Sequence, residues 1–232
     1  MTCYSESPLA KSSVDLSEKS NARTHKKYNP EGSITKITVH HMAGIMSAED
    51  CAKMHQSSDR KASANYYIGK AGEIVAGVPE SRRAWTSSSA PNDYRAITIE
   101  VSNDCKGEPW RVSDASWRSL IALCTDICVR NGIKVLRYTG DKDGSLTTHN
   151  MFAKTACPGT YLMSKMQELA LLVNLNLSAD GKEPDELYYT VQRGDTVTRI
   201  CYMYDITMKR ISELNNIPNL NRIFVGQRIR VR

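Results

Sequence analysis

The stretch SLTTHNMFAKTACPG, residues 145–159, places His149 eight positions before Cys157 in a chain of 232 residues with only five histidines. That spacing does not put two side chains on neighbouring helical turns, where partners stand three or four apart. It suits a loop that folds back so that both point at one spot. An imidazole and a thiolate together suit Zn²⁺, which takes nitrogen and sulfur ligands in a tetrahedron. A third ligand is needed, and His40 is the best candidate, at the end of the apolar run ITKITVHH, residues 34–41. Three protein ligands leave one coordination position open, the pattern of a catalytic zinc. A histidine at a strand end is also an ordinary hydrogen-bonded residue, and a cysteine before proline an ordinary packing residue. The residues by themselves leave both readings open.

These side chains need a scaffold. Residues 34–40 alternate in β-branched positions and predict a strand. A short helix is expected over 48–56, a hairpin over 66–77 turning at Lys70-Ala-Gly72, a strand over 96–101 and a short strand over 134–138. Ser113 is placed to cap a helix whose stripe includes Trp117, Leu120, Ile121, Cys124, Ile127 and Cys128. A closing helix is expected over 161–175. The pattern is α/β, a central mixed β-sheet flanked by helices with its chemistry on loops at strand ends. Small, charged, Gly and Pro residues over 178–187 mark a linker, so residues 1–177 form one domain, its core about 30–175. Residues 188–232 form a small module of order βααβ: strand 188–192, helices 196–204 and 207–215, strand 228–231.

The chain carries a net charge of +6, of which residues 188–232 hold +5. A polyanionic partner would meet that end, but Asp195, Asp205 and Glu213 interrupt the basic residues and aromatics are few, so a nucleic acid is not expected. Seven cysteines without a repeating CxxC argue against a disulfide framework. Cys51, Cys105, Cys124, Cys128 and Cys201 read as small packing residues. No apolar run is long enough to cross a membrane, and residues 1–27 lack the apolar core of a secretory signal. The expectation is synthesis in a cytoplasm without membrane insertion.

As a set, His40 in VHHMAG, Glu100 in ITIEVSN, and His149 with Cys157-Pro-Gly resemble the type-2 N-acetylmuramoyl-L-alanine amidases, which include phage endolysins and are related to peptidoglycan recognition proteins. The likeness covers roughly residues 30–175, and ASANYYIG, TSSSAPNDYRAITIEVSND and CPGTYL resemble a phage and prophage branch of Gram-positive hosts. The resemblance implies one Zn²⁺ held by His40, His149 and Cys157. It also implies hydrolysis of the amide between N-acetylmuramic acid and L-alanine, and a phage or prophage lysin freed by a holin-type pore to act on the host wall.

Some relatives use a Tyr before the hairpin and a Lys near the last ligand. Here those positions fall at Ala64, beside Asn65, and at Thr155, beside Lys154. Other relatives place a Glu on the central strand, which Glu100 matches. Set among Ile97, Ile99 and Val101, its carboxylate would be desolvated toward the range of a general acid or base. Glu100 would deprotonate the attacking water, with Thr155 or Lys154 assisting at the oxyanion. Asn65 and Trp85 would contact substrate, and Asn92 and Asp93 would shape the same groove. His41 is expected to be structural, since adjacent strand residues face opposite ways, and His25 and His55 to lie at the surface.

Residues 188–232, with YTVQRGDT, ISELNNI and VGQRIRV, resemble a LysM module. That likeness implies binding of N-acetylglucosamine-containing glycan by Gly194, Asp195, Thr196, Asn219 and Leu220. The alternatives to the amidase are a zinc peptidase cutting within the stem peptide and a non-catalytic wall-binding protein. Cys157 and Glu100 argue against the latter.

Overall fold

A computed structural model describes residues 6–178, 188–191, 194–204, 206–217 and 219–231. The chain divides into two compact units, Met1–Val173 and Asn174–Arg232. Among the described residues no helix is long and apolar enough to cross a membrane.

In chain order the first unit contains β1 (Ser12–Ser13), β2 (Ser20–Ala22), β3 (Lys36–His41), α1 (Ala48–Ser57), β4 (Tyr66–Ile68), β5 (Ile74–Ala76), β6 (Arg82–Ala84), α2 (Ala90–Asp93), β7 (Ala96–Val101), α3 (Asp114–Asn131), β8 (Leu146–Thr148) and most of α4, which runs over Gly159–Leu177. Six strands form one sheet in the order β1-β5-β4-β7-β3-β8. β4, β7, β3 and β8 run parallel, and β5 returns antiparallel to β4. The sheet is therefore mixed, and β2 and β6 pair separately.

The two faces differ in chemistry. One face carries Ile37, Val39, Ile97 and Ile99, all fully buried. Tyr66 of β4 is on this side, its hydroxyl bonded to Glu80, which Arg130 of α3 holds. The other face carries a polar row. Thr38 lies opposite Thr98 and Thr147 in register, and the Thr38 and Thr147 hydroxyls are 2.9 Å apart. Asn92 donates to Thr38 at 2.9 Å, so the buried hydroxyls are satisfied. One step along the same face the register sets His40 opposite Glu100, and Glu100 opposite Tyr67. α1 packs here, burying Ala48, Cys51 and Ala52 against Tyr67. Ser47 caps α1, its hydroxyl accepting from Asp50 N–H at 3.0 Å. Ser113 caps α3 in the same way, and Gly132 ends it in the left-handed region at φ 67°.

One sequence expectation changes. Residues 134–138 are not a strand. Arg137 O accepts from Leu146 N–H, but Arg137 N–H turns to the Ser145 hydroxyl, so no backbone ladder propagates. The edge strand is instead β8, directly before His149.

In the second unit β9 (Tyr188–Thr190) pairs antiparallel with β10 (Arg228–Arg230), and α5 (Val197–Tyr204) and α6 (Met208–Asn215) lie between them in sequence. Tyr189, Val191, Ile200, Ile211 and Ile229 form its core. Thr196 and Thr207 cap the two helices. The expected βααβ order is present; of the linker, residues 179–187 lie outside the described residues, as does Gln192 of the first strand.

Candidate metal centre and its cleft

The parallel register explains how three distant residues meet. Val39 pairs with Thr148, so the next residues, His40 and His149, leave adjacent strand ends side by side. Their rings lie 4.6 Å apart between centroids. The chain then makes a 3₁₀ turn at His149–Met151 and folds back, closed where Asn150 N–H donates to Cys157 O at 3.2 Å. Cys157 N–H donates to the Thr155 hydroxyl at 3.1 Å, and His41 N–H reaches Cys157 Sγ at 3.4 Å. The Cys157–Pro158 peptide is cis. Gly159 follows at φ 85°, where an added Cβ would meet the Trp110 Cβ at 2.6 Å. A side chain there would force that turn apart.

One donor atom from each of His40, His149 and Cys157 lies within 4.8 Å of the others. His40 Nδ1 is 3.7 Å from Cys157 Sγ. Two such ligands on one tetrahedral zinc, with Zn–S about 2.3 Å and Zn–N about 2.0 Å, would stand about 3.5 Å apart. The donor set and this separation fit zinc. The electrostatics agree. Burial, then the neighbouring His149 and His41, hold His40 well below the usual imidazole range. Burial lowers His149 too. Both rings are therefore neutral, with a lone pair to give. Burial, then the Glu100 charge, pushes the Cys157 thiol up, which a bound cation would reverse.

Glu100 stands one strand from His40, 9% exposed, with Oε2 buried and unpartnered. Burial alone raises its carboxyl to about 8. A cleft of about 420 Å³ opens over the centre, and His40, Glu100, His149, Thr155 and Cys157 all line it.

The other expected residues separate. Trp85 is half-buried in the cleft wall, its indole N–H donating to Asn21 at 2.6 Å. Lys154 is exposed and does not line the cleft. Asn65 departs from expectation. It is fully buried, accepting from Thr98 N–H at 3.1 Å and donating to Val78 O at 3.0 Å, so it clamps β4 to β7 instead of reaching a ligand. Asn92 and Asp93 are buried as well, and Asp93 holds the 86–87 loop by accepting from Ser87 N–H at 3.2 Å. His41 packs edge-on against Trp110, 5.1 Å between ring centres. His25 stacks on Tyr28.

His55 is not a surface residue. It is 8% exposed and lines the cleft. Its Nδ1 lies 2.8 Å from the Tyr67 hydroxyl, which accepts from Ala64 N–H at 2.9 Å. The Tyr67 proton is thus free to go to His55 Nδ1, and burial, with Lys19 and Arg60 nearby, depresses the ring to about 4. The spacing Ala48, Cys51, Ala52, His55 was the available signal, since it continues one helical face. Trp110, also in the cleft wall, had no periodic signal because it lies on a loop.

In the second unit Gly194 adopts φ 90° and Asp195 accepts from the Tyr189 hydroxyl. Thr196 caps α5 at 3.2 Å from Arg199 N–H, Asn219 accepts from Asn221 N–H at 3.0 Å, and Leu220 packs on the core.

Residues 30–160 match the family described as N-acetylmuramoyl-L-alanine amidase, and residues 189–232 match the LysM domain. N-acetylmuramoyl-L-alanine amidase XlyB of Bacillus subtilis (strain 168) is 24% identical over 203 residues, 84% of this chain and 61% of that protein. The chain thus spans less than two thirds of that relative's length. Among solved structures, an AmpD derivative superposes with a TM-score of 0.54 at 18% identity, covering 73% of this chain and 99% of its own. The Staphylococcus aureus hydrolase AmiA, solved in complex with its ligand, gives 0.53 at 16% identity over 71% and 82%. At such identities the likeness is one of fold.

Proposed function

This chain belongs to the N-acetylmuramoyl-L-alanine amidase family and carries a LysM domain over residues 189–232, and from that premise we propose that it is a zinc-dependent hydrolase of the amide joining N-acetylmuramic acid to L-alanine in peptidoglycan. The observation that carries the reading is the convergence of His40, His149 and Cys157 donors within 4.8 Å, with the unpartnered Glu100 carboxylate one strand away.

His40 and His149, neutral through burial, and Cys157 would hold the ion. When bound, zinc supplies Lewis acidity toward the scissile carbonyl and toward water. Glu100 Oε2 accepts the proton of the attacking water. The same carboxyl then gives that proton to the departing L-alanine nitrogen, so one side chain acts as base and acid in turn. Its burial on the sheet face covered by α1, where Cys51 packs with its registered neighbour Tyr67, keeps its affinity for protons high enough for both steps. Of the two candidates to assist at the oxyanion, Thr155 is favoured because it lines the cleft, whereas Lys154 does not.

The LysM domain binds N-acetylglucosamine-containing glycan through the turns at Gly194, Asp195 and Thr196 and at Asn219 and Leu220. Joined through the linker read over residues 178–187, it holds the hydrolase on insoluble wall. The role is that of a phage or prophage lysin reaching the wall after holin-type release; this rests on the phage-like motifs around HHMAG and CPGTYL. Mass spectrometry of digested peptidoglycan tests the bond. Free peptides beginning with L-alanine beside intact glycan are expected; fragments cut inside the stem peptide would replace the amidase with a peptidase.

A further inference from the structure

The cleft is not uniform from end to end. At Trp110 the indole meets His41 edge-on, 5.1 Å between ring centres, and Met42 and Ala43, which follow His41 in sequence, also line the cleft. An adjoining cavity of about 390 Å³ shares Arg60, Trp85, Thr86 and His149 with the cleft and adds Lys61 but not Trp110; Arg60 and Lys61 are both exposed. Lys19 fixes the loop that carries them, its ammonium donating to the carbonyls of His55, Ser58 and Arg60. The carboxylate on that side, Asp93, is already taken by Thr86 and Ser87 N–H groups and faces Arg83.

Trp110 is held with care for a loop residue. Its backbone sits at φ 55°, a region costly for a bulky side chain. Three contacts hold it there. Its N–H donates to Gly107 O at 2.8 Å, its carbonyl accepts from Asn103 Nδ2 at 2.7 Å, and its Cβ fills the space that Gly159 leaves. The indole remains half-exposed beside the ligand-bearing strand end. A strained residue that the surroundings over-determine marks a site where position matters.

We propose that substrate crosses the centre in one direction, with a pyranose ring of the glycan against the Trp110 indole and the carboxylate end of the stem peptide at Arg60 and Lys61. This rests on the amidase reading, because the chemistry of that bond sets the polarity. The lactyl carboxyl is consumed in the amide, so the sugar half is uncharged. The peptide half ends in a carboxylate. An uncharged ring suits an aromatic face, and a carboxylate suits a guanidinium and an ammonium.

The test compares zinc-loaded full-length variants on matched substrates: muramoyl-pentapeptide against lactoyl-pentapeptide, which keeps the amide and lacks the ring, and each against its C-terminally amidated form. Trp110→Ala should cut the preference in kcat/KM for the muramoyl over the lactoyl substrate about tenfold, while Trp110→Phe keeps most of it. Arg60→Ala with Lys61→Ala should cut the preference for carboxylate over amide about tenfold, carried mainly in KM. Should Trp110→Ala fail to fold, as read by thermal unfolding, Trp110→Leu keeps bulk without the aromatic face and carries the same expectation. A sugar preference unmoved at Trp110, or one that moves with Arg60 and Lys61 instead, overturns the orientation. If the wild-type chain cleaves neither substrate the amidase reading fails, and calorimetric binding of the same ligands to the same variants still decides the orientation.

Discussion

Glu100 and His40 face the same side of the sheet as registered partners of two parallel strands, which puts a buried carboxyl beside an imidazole that offers a lone pair. Neither has a full set of hydrogen-bond partners: Glu100 Oε2 and His40 Nε2 are both buried and unbonded. Buried polar atoms are ordinarily satisfied, so an orphaned carboxylate oxygen beside a ring whose Nδ1 lies 3.7 Å from Cys157 Sγ points to a reacting group.

Glu100→Gln keeps the shape of the site and removes the proton acceptor. Its kcat on purified walls should fall by about 10²–10⁴-fold, with zinc content unchanged by elemental analysis. A variant within tenfold of wild type would assign the base to another group.

Cys157→Ser replaces a soft thiolate with a poor ligand at a position that the 150–157 backbone closure already fixes. The variant should lose bound zinc on dialysis, and chelator treatment of the wild-type chain should abolish wall clearing until zinc is restored. Clearing that proceeds at the same rate after chelation would exclude the metal from the reaction.

His55 gives the metal-free chain an acid-labile element. Its folded-state pKa is depressed from 6.5 to about 4, so between those values the unfolded chain binds more protons than the folded one. Stability therefore rises with pH through this window and is lost as pH falls from about 6.5 toward 4, by up to about 3 kcal/mol. In His55→Gln, which can still accept from Tyr67, urea unfolding should show a flatter slope over the same range. Equal slopes would mean that His55 is not the responsible group.

Arg130 holds Glu80, whose side chain is fully buried, at 2.6 Å, with Tyr66 also bonded to that carboxylate. Removing one partner strands a buried charge. Arg130→Met should destabilise the first unit by about 3–5 kcal/mol, and Glu80→Gln in the same chain should recover part of it. Denaturant midpoints read both, and zinc content should not change in the single variant.

A chain truncated after residue 178 should cleave soluble muropeptide at the full-length rate yet clear insoluble walls at least about tenfold more slowly, through loss of tethering. Equal clearing by both chains would remove the LysM domain from the lytic function.

The strongest elements were legible from local pattern alone. The alternation of β3 and β7, the cap at Ser113 and the hairpin turn at Gly72 follow from side-chain period, capping chemistry and the φ of 86° that only glycine tolerates easily. The candidate metal residues His40, His149 and Cys157 were legible by type and position, and the family resemblance favoured the metal reading over the ordinary packing that the residues alone left open.

Tertiary structure decided what distance along the chain hides. β8 is three residues long and pairs with β3 across more than a hundred positions, and that pairing alone brings His149 to His40. The same long-range packing buried Asn65 as a clamp, drew His55 into the cleft and locked Trp110 against Gly159. Residue type and period fix which groups are present and which face of an element they occupy. Which groups meet, and which of them lose their water, depends on strand register and layer packing, and these are non-local.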